Sequence, residues 1–464
     1  MTIWMPELAG TRGPKYLAIA DAIGTAVADG SLPAGAKLPP QRNLAYDLGV
    51  TLGTITRAYR EAERRGLVGG EVGRGTYVMD MKRRAEKDGI IEFEPALPGI
   101  VDMTHATMPV QEAGIALSMT LAEIAQQSDL SPLANYQMNT SMTRHFEAGA
   151  AWMTELGVPT TAGNIAITSG VQHGTMVTMM AMARPGDGLI LEALTYPGVI
   201  RVAQHLGHRT ETVALDAEGM LPSSLDEVCR RSSARLLYCQ PSVHNPTTAT
   251  MSVPRRVAIA EVARRHGLTI IEDNVWSAVG PDHPPPLATF APERTFFLSG
   301  PAKCMAGGLR VAFAHCPENQ VDRVRAMVRM TSWMTAPLMA EVASRWITDG
   351  TAKHLTETIR KTIRKRVELA RTYFAGFNIH SDPSVSFIWL ELPAPWRAAE
   401  FRAEAEARGV RVLTGETFTA GRDAAPHAVR ISVGGNLNIK DVEHALGTLT
   451  EILRSPPGAA AAVM

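Results

Sequence analysis

A chain of 464 residues is longer than one ordinary core requires, so two or three domains are expected. Its 45% hydrophobic and 20% charged residues are those of a globular protein, and Lys+Arg balance Asp+Glu at 46 each, so net charge selects no class of partner. Four cysteines (Cys229, Cys239, Cys304, Cys316) without a CxxC pair argue against a disulfide framework or a structural metal; no apolar run of about 18 residues and no basic-then-apolar leader occurs, so a cytoplasmic location with no membrane partner is expected.

The first 80 residues differ from the rest. Apolar Tyr16, Ile19, Ala20, Ile23 and Val27 fall at helical spacing, with Pro14 suited to the first turn and Gly30 to the end. Two short helices are predicted at about 41–48 and 52–65. Between them Gly49-Val50-Thr51 forms a tight turn, with Thr51 as N-cap and Gly66 as the closing C-cap. Residues 69–78 read as two strands around Gly73-Arg74-Gly75. A helix pair of this size can enter a major groove ~12 Å wide, the second helix reading bases. Thr51, Thr54 and Thr56 offer hydroxyls near its start. Arg42 and Arg57 can reach phosphates or guanine edges, and Arg74 can reach a minor groove. Residues 1–79 carry nine Lys/Arg against seven Asp/Glu, so charge alone identifies nothing here.

Leu38-Pro39-Pro40-Gln41-Arg42, Leu48-Gly49-Val50-Thr51, Arg57-Ala58-Tyr59, Gly66-Leu67-Val68 and Gly73-Arg74-Gly75-Thr76 resemble the GntR-type winged helix-turn-helix over about 12–79. The resemblance implies DNA contacts by Arg42, by the recognition helix and by the wing. Leu52 stands where many relatives have a basic residue. Residues 80–100, with the charge run MKRRAEKDG, are expected to be a solvated linker.

From about 160 to 316 apolar strands at 164–168, 188–192, 234–240, 268–272 and 295–298 alternate with helical stretches, the pattern of an α/β domain with a mostly parallel sheet. Residues 317–455 carry a long helical stretch, 321 to about 375, then VSFIWLELP and VRISVG, which suits a smaller α+β lobe. Residues 456–464 are expected to be a disordered tail.

A site that condenses an amine with a cofactor aldehyde needs an amine, a phosphate cradle, partners for the ring nitrogen and oxygen, and a ring stack. Ser169-Gly170-Val171-Gln172 opens a helix after a strand, where amides favour phosphate. Tyr196, after the next strand, can stack on a ring. Asn245 can donate to a ring oxygen, and its bond to Pro246 is a candidate cis peptide. Asp273 ends an apolar strand and could keep a pyridine nitrogen protonated. Lys303 can supply the amine, with Ser299 and Arg310 for phosphate.

This order resembles the class I/II aminotransferases of the fold-type-I pyridoxal-phosphate superfamily, from about 101 to 455. By that resemblance Lys303 forms the Schiff base to pyridoxal 5'-phosphate, Asp273 pairs with the pyridine nitrogen and Asn245 binds the ring hydroxyl. Tyr196 stacks on the ring, while Ser299, Arg310 and the Gly170–Gln172 turn hold the phosphate. Tyr136 is similar to the tyrosine that reaches the phosphate from the other subunit, and Arg430 to the arginine that grips an α-carboxylate. Trp276 replaces the usual tyrosine at the ring oxygen, with only an indole N–H to donate. Val171 replaces a common hydroxyl residue, and Ala302 and Cys304 flank the lysine in place of Ser or Thr.

Together the halves resemble the MocR subfamily of GntR regulators. The expected fold is multidomain: an α+β winged helix-turn-helix plus an α/β aminotransferase-like domain. The resemblance implies a head-to-tail homodimer on double-stranded operator DNA that senses pyridoxal phosphate, an amine or an amino-acid effector through a Lys303 aldimine. The alternative is an active aminotransferase with an appended DNA-binding domain.

Overall fold

The computed structural model describes residues 4–6, 14–33, 36–64, 67–71, 75–78, 99–137, 142–280, 283–421, 424–435 and 437–455. The chain divides into two compact units, Met1–Phe93 and Glu94–Met464.

In the first unit α1 (Lys15–Ala28), α2 (Gln41–Asp47) and α3 (Leu52–Arg64) precede an antiparallel pair, β1 (Val68–Glu71) and β2 (Gly75–Val78). The apolar spacing is what closes this unit. Ile19 and Ile23 of α1, Leu44 of α2, and Ile55, Ala58, Tyr59 and Ala62 of α3 bury one stripe each against Leu38, Val68 and Val78. The Tyr59 hydroxyl, inside that core, donates to the Pro39 carbonyl at 2.7 Å. Thr51 caps α3 as expected, its Oγ1 accepting from the Thr54 amide at 3.3 Å. The expected Gly66 cap, the Arg74 tip, the stretch 80–98 and the tail 456–464 lie outside the described residues.

The second unit opens with β3 (Val101–Asp102), α4 (Gln111–Ala125) and α5 (Thr143–Glu155). There follow β4 (Ile165–Thr168), α6 (Val171–Met182), β5 (Gly188–Glu192), α7 (Pro197–His205), β6 (Arg209–Val213), α8 (Pro222–Arg231), β7 (Leu236–Cys239), α9 (Val253–His266), β8 (Thr269–Asp273), β9 (Thr295–Ser299) and β10 (Ala312–His315). Their seven-stranded sheet runs β4-β10-β9-β8-β7-β5-β6. The pairs from β9 to β6 are parallel, and β10 is antiparallel to both its neighbours. All residues of β4, β7, β9 and β10 are buried, as strands covered on both faces require.

Two strands differ from expectation. β6 (RTETV) is a polar edge strand without an apolar signal, and β10 (AFAH) is a short antiparallel insertion. β8 and β9 each run one residue further than expected, so Asp273 and Ser299 close their strands at the sheet's carboxyl edge.

The expected helical stretch 321–375 is three helices: α10 (Val321–Ser332), α11 (Pro337–Thr348) and α12 (Thr351–Tyr373). Positive φ at Trp333 (65°) and Gly350 (89°) breaks the run. The small lobe adds β11 (Ile379–Ser381), β12 (Phe387–Glu391), α13 (Ala398–Ala407), β13 (Val410–Arg411), β14 (Leu413–Thr414), β15 (Ala428–Ser432) and α14 (Ile439–Arg454). Its antiparallel sheet runs β11-β12-β15-β14, and β13 pairs in parallel with β3. No helix among the described residues is long and apolar enough to cross a membrane, and no His/Cys/Asp/Glu cluster among them could hold a metal ion. The four cysteines are unpaired and buried.

Candidate functional site

Strand ends of the large sheet and β15 of the small lobe bring the expected residues together. Lys303 follows β9 on a short 3-10 turn, part-buried, its Nζ 5.0 Å from the Trp276 ring centroid. Burial, with Arg430 and Arg310 nearby, lowers the amine to about 8, against the opposing pull of Asp273. Its Nζ donates to the Ala106 carbonyl at 2.6 Å.

Asp273 is buried, and burial raises its carboxyl to about 6, although hydrogen bonds from Tyr238 and Gln240 and the Lys303 charge pull the other way. Both donors reach Oδ2, Tyr238 at 2.5 Å and Gln240 at 3.3 Å. Oδ1 is buried without a partner. The Asn245–Pro246 bond, the expected candidate, is cis. Asn245 Oδ1 accepts from Arg430 Nη1 at 2.8 Å, which turns its amide nitrogen to the other side. Arg430 is 3% exposed, held over Phe387 and Phe418 at 5.3 and 4.9 Å. Burial lowers its guanidinium to about 10. Its Nη2 donates to the Thr104 carbonyl, and its Nε is buried without a partner.

The cradle lies at the start of α6. Gly170 has φ +95°, and a Cβ there would run into the Arg310 guanidinium, so glycine is what lets that arginine close over the turn. Arg310 Nη2 donates to the Ser169 carbonyl at 3.2 Å. Val171 and Gln172 begin the helix, whose first amides have no helical acceptor. The Tyr196 hydroxyl donates to Gln172 Oε1 at 3.1 Å, fixing the tyrosine beside the cradle. Ser299 is fully buried and accepts from the Trp152 indole at 3.3 Å. Trp276 is 2% exposed and meets Phe387 edge-on, so its ring is a wall of the Lys303 site.

Tyr136 stands apart. It is 70% exposed and packs edge-on to Trp333 at 5.9 Å, with no bond to the cradle of its own chain. A pocket of about 360 Å³ beside it, lined by Gln137, Phe146, Arg325 and Trp333 among others, contains none of the expected site residues. In the first unit Arg42, Thr51 and Arg57 are exposed and Thr54 is half-buried. Thr56 turns inward, its hydroxyl donating toward Gln41 Oε1 (2.9 Å) and the Leu52 carbonyl (3.0 Å).

Four features had no signal in the sequence. Tyr238 and Gln240 grip Asp273. His173 accepts from the Ser169 amide (3.0 Å) and bonds Thr331 of α10 (2.7 Å), tying the cradle to that helix. Finally, residues 103–107 form a strap whose carbonyls are all taken: by Ser432 N (Met103), Arg430 (Thr104), Ser432 Oγ (His105), Lys303 (Ala106) and Gly435 N (Thr107).

Pyridoxal phosphate suits these residues. The partnerless Asp273 oxygen, the glycine-dependent Arg310 cradle and a buried amine shifted toward neutrality match a cofactor with a ring nitrogen, a phosphate and an aldehyde.

The chain belongs to the class I and II aminotransferase family, whose model matches residues 108–449. The bacterial regulatory proteins of the gntR family match residues 15–78, so a DNA-binding helix-turn-helix is fused to that domain, the MocR-type architecture of a transcription regulator. An uncharacterized HTH-type transcriptional regulator of Bacillus subtilis, YdeF, is 28% identical, with 97% of this chain and 96% of the relative covered. The vitamin B6 salvage pathway transcriptional repressor PtsJ of Salmonella typhimurium is 24% identical over 89% of this chain and 93% of its own. Among solved structures, the kynurenine aminotransferase of Pyrococcus horikoshii superposes with a TM-score of 0.71 at 21% identity, covering 81% of this chain and 94% of that one. The fold is thus one that typically binds pyridoxal phosphate.

Proposed function

We propose that this chain is a pyridoxal-phosphate-responsive transcription regulator whose aminotransferase-like domain reports cofactor, or an amine or amino-acid effector, to its winged helix. The observation that carries the reading is the joining of Lys303, Asp273, Asn245 and Arg430 around one buried site, with the Lys303 amine lowered to about 8. The name of PtsJ, a vitamin B6 pathway repressor of the same architecture, supports it.

The cofactor, when bound, supplies an aldehyde for a lysine amine and an electron-withdrawing ring. Lys303 is its attachment point. Asp273 offers Oδ1 to the ring nitrogen, Asn245 its amide to the ring oxygen, and Tyr196 a face to the ring. Trp276 walls the site. Ser299, Arg310 and the Gly170–Val171–Gln172 turn take the phosphate, with Tyr136 arriving from the partner of a head-to-tail homodimer. Arg430 takes an effector carboxylate. A carboxylate there competes with the Thr104 carbonyl, and the strap follows in sequence on the stretch leading from the winged helix. Arg42, Thr51, Thr54, Thr56, Arg57 and Arg74 are the residues assigned to operator DNA, the Thr56 hydroxyl also bonding Gln41 of the preceding helix.

Gel shifts on the protein's own upstream DNA, with and without pyridoxal phosphate, test the reading in wild type and Lys303→Ala. Cofactor-dependent affinity in the wild type alone is expected; no dependence in either removes the sensing role. The buried, Asn245-linked Arg430 favours a second reading, an active aminotransferase. Multiple-turnover amine transfer to a keto acid, lost in Lys303→Ala, would establish it.

A further inference from the structure

We propose that Tyr238 is a positioning residue for the cofactor: its phenol locks one oxygen of Asp273, so that the other is held ionised and aimed at the ring nitrogen. The inference rests on the cofactor reading above and adds a residue outside the expected ligand set.

Tyr238 sits in β7, an inner strand between β8 and β5, opposite Ile271 and 35 residues before its partner. It has no exposed surface. Such a tyrosine must place its hydroxyl on an internal acceptor, and it chooses Asp273 Oδ2 at 2.5 Å, a length typical of a hydrogen bond to a charged oxygen. Gln240 adds its amide N–H to the same oxygen at 3.3 Å. Both side-chain donors lie on one oxygen and no side-chain donor on the other, with the Val275 amide a weaker influence, and this makes the carboxylate asymmetric. The free oxygen, Oδ1, is the one left for a ligand in a residue 5% exposed.

The same donors keep the group charged. Burial opposes ionisation of Asp273, and the Tyr238 and Gln240 bonds are the largest influences acting against it. The other titratable groups facing this pair are Lys303 from the turn after β9, Tyr196 from the start of α7, and Glu192 and Cys239 from β5 and β7. Of these only Lys303 favours the ionised form. Gln240 also carries the order onward: its Oε1 accepts from the Asn245 backbone N–H at 3.3 Å, and Asn245 Oδ1 accepts from Arg430. Tyr238, Asp273, Gln240, Asn245 and Arg430 therefore form one continuous hydrogen-bonded chain behind the ring site, with the phenol at its closed end.

A tyrosine that merely filled the core would leave the cofactor's protonation untouched when replaced by phenylalanine. The test uses the full-length chain loaded with pyridoxal phosphate, as wild type, Tyr238→Phe and Gln240→Met. Cofactor retention after dialysis is followed against pH by the absorption of the lysine-linked cofactor. Ring-nitrogen protonation is read by the chemical shift of 15N-labelled cofactor. In Tyr238→Phe the acid-side midpoint of retention should rise by about one pH unit, and the ring-nitrogen signal should move toward the unprotonated position at neutral pH. Gln240→Met, which keeps the tyrosine, should shift both readouts the same way by less, and it keeps the test decisive if the phenylalanine variant fails to fold. Loaded wild type and variants with the same midpoint and the same nitrogen shift overturn the proposal while leaving the sensing role standing. A wild type that never acquires the absorption band removes both.

Discussion

Lys303 is the residue on which the chemistry turns, and its environment makes a kinetic statement. Burial and two arginines bring its amine to about 8, so at neutral pH about a tenth is uncharged, against well under a thousandth for a solvated lysine. The sign follows directly: the neutral amine attacks, so attachment of pyridoxal phosphate should accelerate about tenfold per pH unit below 8 and level off above it. Stopped-flow absorbance would read the profile; a rate still climbing at pH 10 would mean an ordinary lysine. Lys303, Asp273 and Asn245 were legible because each closes or follows an apolar strand in a fixed order, whereas Arg430, inside β15, was legible only through the family resemblance. Tyr238 was not. In LLYC a tyrosine reads as one more core side chain, and only the parallel register of β7 with β8 sets its hydroxyl on a carboxylate 35 positions later. Thr56 shows a second contact that spacing could not give: its hydroxyl, near the start of the recognition helix, also bonds Gln41 of the preceding helix.

Elements with a strong period were read nearly to their ends, α1 and α3 above all, since one apolar stripe suffices to define them. What escaped depends on partners. β6 is an edge strand of alternating charge and threonine, β10 is four residues inserted antiparallel, and the strap that follows β3 has no regular structure. The strap is defined by its acceptors. Asp102 Oδ1 takes the Thr104 amide at 2.8 Å to start it, and Ser432 fixes its middle, donating from Oγ to the His105 carbonyl at 2.6 Å. Gly434 is required beside it, because a Cβ there would strike the Thr107 carbonyl and Ser386. Removing the hydroxyl in Ser432→Ala leaves the His105 carbonyl with the Thr107 amide as its remaining donor, so the loss should be that of one ordinary hydrogen bond, about 0.5–1.5 kcal/mol of stability. Urea denaturation measures that loss, with an unchanged m-value marking a local effect. An undiminished midpoint would show that the strap is held without the Ser432 hydroxyl.

For the molecule as a whole, the proposed homodimer makes a prediction about which chain supplies Tyr136. Tyr136 is the only residue of the expected cofactor set that turns away from the cradle. With Trp333, 54% exposed and edge-on to it, Tyr136 makes an exposed aromatic pair that a second copy could cover. If Tyr136 serves the partner's phosphate site, two different defects should compensate when placed on different subunits. Lys303→Ala abolishes attachment in its own chain, and Tyr136→Ala weakens retention wherever that tyrosine acts. In a mixed dimer acting in trans, one site carries both defects and the other carries neither. Random pairing of equal amounts therefore restores about a quarter of all sites to wild-type retention. If Tyr136 acts within its own chain, every site keeps a defect and none recovers. Co-refolding the two variants, dialysing to a fixed cofactor concentration and counting retained cofactor separates the two outcomes without any appeal to transcription.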